Sequence, residues 1–232
     1  MTSIIAIQLN DSIIIASDNK EVILKEGHSN ELLERSTSKL HAWSSGIVTG
    51  TGEYYVINRC IALFEEFAQS ELASLPDYLE LSRHIREHEI GKDHFQVQNT
   101  KLLCSSYSER GAQLYKIEQI NDQQSYTMTA IEPMDITVWM FNPNIESIML
   151  DLKNLYLDLK DANTFSNQAE WINYYINRIA PIYQKQSQVD SLMSQSFDIF
   201  FQSKDEYVFG HIPNTQNTAI ELKEISSNFT SI

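Results

Sequence analysis

A threonine at position 2 directly follows Met1 and opens the run Thr2-Ser3-Ile4-Ile5-Ala6-Ile7-Gln8-Leu9. A small second residue allows an aminopeptidase to remove Met1, leaving a chain headed by a free-amine threonine. Such a residue holds a hydroxyl nucleophile and its own base together, because the α-amino group can take the hydroxyl proton. A model α-amine titrates at roughly 7.7–8.0, close enough to neutral pH for proton transfer. With Met1 retained, Thr2 is a plain strand residue and this chemistry does not run.

A second group with chemical spacing is His84-Ile85-Arg86-Glu87-His88, an H-x-x-E-H pattern. On a helix it sets both histidines one turn apart, as in a zinc peptidase. Arg86 and Glu89 instead mark a polar face open to solvent, and no apolar flank buries it against a third ligand. The solvated face is the expected reading, and no metal or cofactor is assigned. His41 alternates with Leu40 and Ala42 and reads as a strand residue that meets a local hydrogen bond.

The chain's 232 residues suit one domain spanning 1–232, and 42% hydrophobic content is ample for a core. A net charge of −14 argues against nucleic acid or an anionic membrane as partner, since phosphate would repel it. Cys60 and Cys104 lie in apolar surroundings without metal-ligand spacing, as buried thiols of a reducing compartment do. No charged n-region leads into an apolar segment, and runs such as Ile13-Ile14-Ile15-Ala16 are too short to span a bilayer. The expectation is a cytoplasmic protein.

The elements that must position Thr2 follow from periodicity. Ile4 to Leu9 and Ser12 to Ser17 are β-branched runs joined by the turn dipeptide Asn10-Asp11. A polar, helix-tolerant stretch from Gly27 to Arg35 precedes a hairpin, Thr37 to Trp43 and Gly46 to Thr49, turned at Ser44-Ser45. Val56, Cys60, Leu63, Phe64 and Phe67 then recur at helical spacing over about 54–69, and Pro76-Asp77 opens a second helix. Strands are expected over 102–107, 112–117, 125–131 and 136–141, helices over 145–160 and 167–184, a hairpin over 195–212, and an edge strand over 218–225. Strands in hairpin groups with helices inserted in pairs indicate an α+β protein with two antiparallel sheets between helical layers. The stripe Trp171, Tyr174, Tyr175 and Ile179 sits at helical spacing and reads as core or subunit interface.

The segment from Thr2 through Ser12-Ile13-Ile14-Ile15-Ala16-Ser17-Asp18 resembles the opening of proteasome β-type subunits, including bacterial homologues, in the N-terminal nucleophile hydrolase superfamily. Asp18 falls in register with that family's aspartate. Lys39, in Ser38-Lys39-Leu40-His41, matches its lysine by place, and Gly50, in Thr49-Gly50-Thr51-Gly52, matches the glycine that lines its oxyanion hole. Asp190 and Ser196-Phe197-Asp198-Ile199-Phe200-Phe201 resemble its closing segment. Two places depart from the pattern: Met140-Phe141-Asn142-Pro143 stands for a Gly-Ser-Gly, and Leu192-Met193-Ser194-Gln195 for a Ser-Gly-Gly. Ser191 and Ser194 are the candidates for the auxiliary serine.

The resemblance implies a four-layer αββα sandwich, an enzyme without cofactor, and a homo-oligomer, possible as a ring. It implies acyl transfer from a peptide or other amide, with Thr2 as nucleophile, Lys39 holding the amine neutral, Asp18 orienting Lys39, Gly50 stabilising the oxyanion and Asp190 on the catalytic side. The alternative is a catalytically silent scaffold or ring-forming binding protein of the same fold.

Overall fold

The computed structural model describes residues 2–24, 32–67, 71–120, 125–140, 142, 144–203 and 206–215. Met1 and the strand expected over 218–225 lie outside them. The first half of the chain holds strands β1 (Ile4–Gln8), β2 (Ser12–Asp18), β3 (Lys20–Leu24), β4 (Leu32–Ser36), β5 (His41–Trp43) and β6 (Gly46–Thr51), then helices α1 (Tyr54–Phe67), α2 (Leu75–Ile90) and α3 (Phe95–Gln98). Strands β7 (Lys101–Ser108), β8 (Gly111–Glu118), β9 (Thr127–Ala130) and β10 (Asp135–Trp139) follow. Helices α4 (Met149–Leu157) and α5 (Gln168–Val189) and strands β11 (Phe197–Ser203) and β12 (Glu206–Ile212) complete the described elements.

Two five-stranded antiparallel sheets form the centre, in the orders β10-β1-β2-β11-β12 and β5-β6-β7-β8-β9. Side-chain alternation decides what each face touches. Ile5, Ile7, Ile14 and Ala16 pack with Trp171, Tyr175, Ile176 and Ile179 of α5. Their neighbours Ile4, Ala6, Ile13 and Ile15 turn the other way and meet Ile47, Leu103 and Leu114 of the second sheet. That sheet's far face, with Val48, Leu102, Cys104 and Ile117, is covered by Val56, Cys60, Phe64 and Leu79 of α1 and α2. The layers are therefore helices, sheet, sheet, helices, as expected. Strands β1 and β2 are buried along their whole length, which explains their unbroken Ile runs; each buried Ile contributes roughly 1.5–3 kcal/mol relative to an exposed one. Trp171, Tyr175 and Ile179 belong to the core, and Tyr174 packs at its margin.

Four local expectations change. The stretch from Gly27 to Arg35 does not form a helix over its described part: β3 and β4 pair as a separate two-stranded ribbon. Glu21 stands directly opposite Arg35 in that ribbon and forms an ion pair with it, and Lys20 reaches Glu34 at 2.8 Å. Opposite charges across a pair are what such a strand needs. Residues 37–40 carry no strand pairing, and there Lys39 donates to Asp18. Helix α4 starts four residues after Ile145: Asn142 and Asn144 accept the N–H groups of Asn144 and Glu146 at 3.0 and 3.3 Å, a competing turn geometry. Helix α5, capped by Asn167 Oδ1 on the Glu170 N–H at 2.9 Å, runs past the expected end to Val189.

Candidate active site

Asp18 closes β2 and is almost wholly buried, with 1% of its surface exposed. A carboxylate in that position requires partners, and it has three. Its Oδ1 accepts the Ser3 N–H at 2.8 Å and Lys39 Nζ at 2.9 Å, and its Oδ2 accepts the Lys20 N–H at 3.1 Å. The Ser3 carbonyl in turn accepts the Asp18 N–H at 3.1 Å and the Tyr183 hydroxyl at 3.1 Å. The Thr2–Ser3 peptide is thus held on the same oxygen as the lysine. Thr2 itself is buried, with 8% exposure.

Lys39 is positioned from its own backbone. Its carbonyl accepts Thr49 Oγ1 at 2.8 Å, which fastens the segment to β6 one residue before Gly50. Its ammonium is buried, and that loss of water lowers its pKa; the attraction of Asp18, then of Glu21 and Asp198, opposes the shift. The result is a cation that releases its proton more readily than an ordinary lysine, beside the start of β1.

Gly50 pairs with Leu102 in the second sheet. A β-carbon there would stand 2.5 Å from Leu102 Cδ2 and 2.7 Å from the Lys101 carbonyl. Close packing alone therefore demands glycine. Asp190 lies at the C-terminal end of α5, buried, with Oδ1 accepting the Leu192 N–H at 3.0 Å. Lys20 joins this turn to the site: its ammonium donates to the Ser191 carbonyl at 2.7 Å while its N–H is on Asp18. Asp18, Lys39 and the Thr2–Ser3 peptide are brought together directly, Gly50 through Thr49, and Asp190 only through Lys20.

Ser194, a candidate auxiliary serine, is engaged elsewhere. Its hydroxyl lies 2.9 Å from Asn19 Oδ1 and 2.7 Å from the Ser196 carbonyl, and accepts the Asn19 N–H at 3.1 Å. Sequence reasoning also missed several groups. Asp198, buried on β11, meets His211 Nδ1 at 2.7 Å, and its charge is felt by Lys39. Tyr183, fully buried and stacked on Phe197 with 4.6 Å between ring centroids, has its hydroxyl pKa pushed well up by desolvation. The reach of Asp198 to Lys39 and of the Tyr183 hydroxyl to the Ser3 carbonyl spans most of the chain and leaves no mark in residue spacing.

The H-x-x-E-H pattern forms a charge network on α2. His84 Nε2 lies 2.8 Å from Glu80 Oε1 and its Nδ1 lies 3.1 Å from Glu87 Oε2. Arg83 pairs with both glutamates, and Gln98 Nε2 donates to Glu87 Oε1 at 2.7 Å. His84 is half exposed as a solvated face requires, whereas Glu87 is buried. Among the described residues no group of three His, Cys, Asp or Glu side chains is placed to hold a metal ion. No helix among them is long and apolar enough to cross a membrane.

No protein-family model and no curated protein matches this sequence. That overturns the resemblance to proteasome β-type subunits as a statement of family membership; what remains is a likeness of architecture. The structure is similar to the Gly-1 mutant of Anbu from Hyphomicrobium sp. strain MC1, with TM-score 0.61 and 11% identity over 91% of this chain and 87% of that one. It is also similar to Anbu (ancestral beta-subunit) from Yersinia bercovieri, with TM-score 0.61 and 11% identity over 90% of this chain and 86% of that one. At that identity the shared feature is the backbone plan, and the chain has a proteasome-like fold of the N-terminal-nucleophile type.

Proposed function

We propose that this chain is an N-terminal threonine hydrolase of peptide or other amide bonds, with Thr2 as nucleophile once Met1 is removed. The observation that carries the reading is the shared oxygen: the Ser3 N–H and Lys39 Nζ both donate to Asp18 Oδ1. That arrangement sets a buried lysine of lowered pKa beside the backbone of the threonine. The Thr2 hydroxyl would attack the amide carbonyl, its α-amine taking the proton and returning it to the leaving amine. Lys39 favours the neutral form of that amine by its charge, Asp18 orients Lys39, and the Gly50 N–H serves the oxyanion. Asp190 supports the turn on the same side through Ser191 and Lys20. The protein acts as a cytoplasmic homo-oligomer on this reading, with neither nucleic acid nor membrane as partner.

A Thr2→Ala variant tests it against fluorogenic peptides. Loss of hydrolysis by the variant supports the reading, and equal rates from parent and variant remove Thr2 from the mechanism. Ser194 favours a second reading, a catalytically silent scaffold of the same fold, because its hydroxyl is committed to Asn19 and the Ser196 carbonyl. A parent that cleaves no peptide while forming a stable assembly in light scattering would support that one.

A further inference from the structure

The two sheets meet at the end where β1 begins, and a second lysine stands there. Alternation along β7 points Leu102 and Cys104 toward α1 and α2, and Leu103 toward the first sheet. Lys101 shares the parity of Leu103, so it too faces between the sheets. Its ammonium lies over the Trp139 ring, 4.4 Å from the centroid. Trp139 is opposite Ile4 in the β1–β10 pairing, two residues from Thr2, and Lys101 is opposite Thr51, next to Gly50. The contact therefore joins the first sheet to the second beside the residues assigned to the reaction.

The state of this ammonium is unusual. Among the described residues it has no ion pair and no hydrogen bond, and the ring of Trp139 is its one close partner. The charged groups whose fields reach it are Glu118 and Lys116, of opposite sign, and partial burial disfavours its charge. A cation backed by an indole face, part-desolvated and with no carboxylate in contact among the described residues, is suited to a carboxylate arriving from outside. Lys39 differs in having Asp18 already in place.

We infer that Lys101, seated on Trp139 at the edge where the two sheets meet, is a carboxylate-binding subsite, selecting peptides with an acidic side chain. The inference rests on the hydrolase reading for its purpose, but not for its detection. The test compares two short acetylated peptides that differ only in Glu against Gln, titrated into the full chain by calorimetry. The Glu peptide should bind about tenfold more tightly, the worth of one charge-assisted contact. Lys101→Met should abolish that difference and Lys101→Arg should keep it. Equal affinities in the parent, no binding of either peptide, or a Glu preference that survives Lys101→Met would each overturn the subsite. Cleavage is followed in the same samples. A Lys101-dependent preference without cleavage supports the subsite and counts against the hydrolase, whereas cleavage without preference does the reverse.

Discussion

Lys39 Nζ stands 2.9 Å from Asp18 Oδ1, in a pair whose side chains are 12% and 1% exposed. Water screens neither charge well, so each depends on the other. Removing one partner of a buried pair leaves an uncompensated charge and costs about 3–5 kcal/mol. Asp18→Asn is therefore expected to lower the unfolding free energy by about that amount in urea titration. The double variant Asp18→Asn with Lys39→Met should recover part of the loss, since the stranded cation is then gone.

The end of β6 and the strand-to-helix turn that follows it should be intolerant of side chains. Gly50→Ala meets Leu102 Cδ2, which can shift, and the Lys101 carbonyl, which cannot without moving the sheet. Overpacking of this kind costs about 1–3 kcal/mol. Gly52 has φ +122° and would press a β-carbon onto the Thr100 backbone, so Gly52→Ala should cost more than Gly50→Ala. Thermal unfolding of the two variants gives the order directly.

Opposite expectations hold for the H-x-x-E-H helix. His84 lies half in solvent, and its partners Glu80 and Glu87 keep Arg83 when the imidazole is removed, so its contacts should contribute only about 0–1 kcal/mol. His84→Gln should leave the unfolding midpoint almost unchanged, and added zinc should not raise the melting temperature of the parent. A zinc-dependent rise lost in His84→Gln would contradict the salt-bridge reading.

Alkaline pH should weaken the fold through groups buried in their protonated form. Desolvation pushes the Cys60 thiol from the usual 9.0 up to about 12, and moves Cys104, Tyr126, Tyr175 and Tyr183 upward as well. The unfolded chain releases these protons from about pH 9 onward while the folded chain retains them. The stability they contribute is complete below pH 9 and falls as pH rises toward 12. Urea midpoints at a series of pH values should show that decline. At pH 8 a thiol-reactive dye should label neither cysteine until denaturant is added.

Much of the architecture was legible because it follows from local pattern. The Ile runs of β1 and β2, the turn at Asn10-Asp11 and the helical period of Val56, Cys60 and Phe64 each name an element unaided. The β3–β4 ribbon was not legible: Leu32-Leu33-Glu34-Arg35-Ser36 has no clear period, and its pairing depends on Glu21 and Arg35 meeting across the strands. At the candidate site, Asp18 was visible as a strand end. Its pairing with Lys39 was implied by the resemblance rather than by spacing, whereas the approach of Asp198 and the seat of Lys101 on Trp139 are products of tertiary folding with no trace in residue spacing. Gly50 shows the limit from the other side, since packing against Leu102 accounts for a residue that a motif had marked for catalysis.

The hydrolase account depends on one bond more than on any distance. Intact-mass measurement of the protein purified from its own host examines it directly. The account predicts a chain lighter by one methionine, beginning at Thr2 with a free amine. Complete retention of Met1 would block that amine and contradict the mechanism.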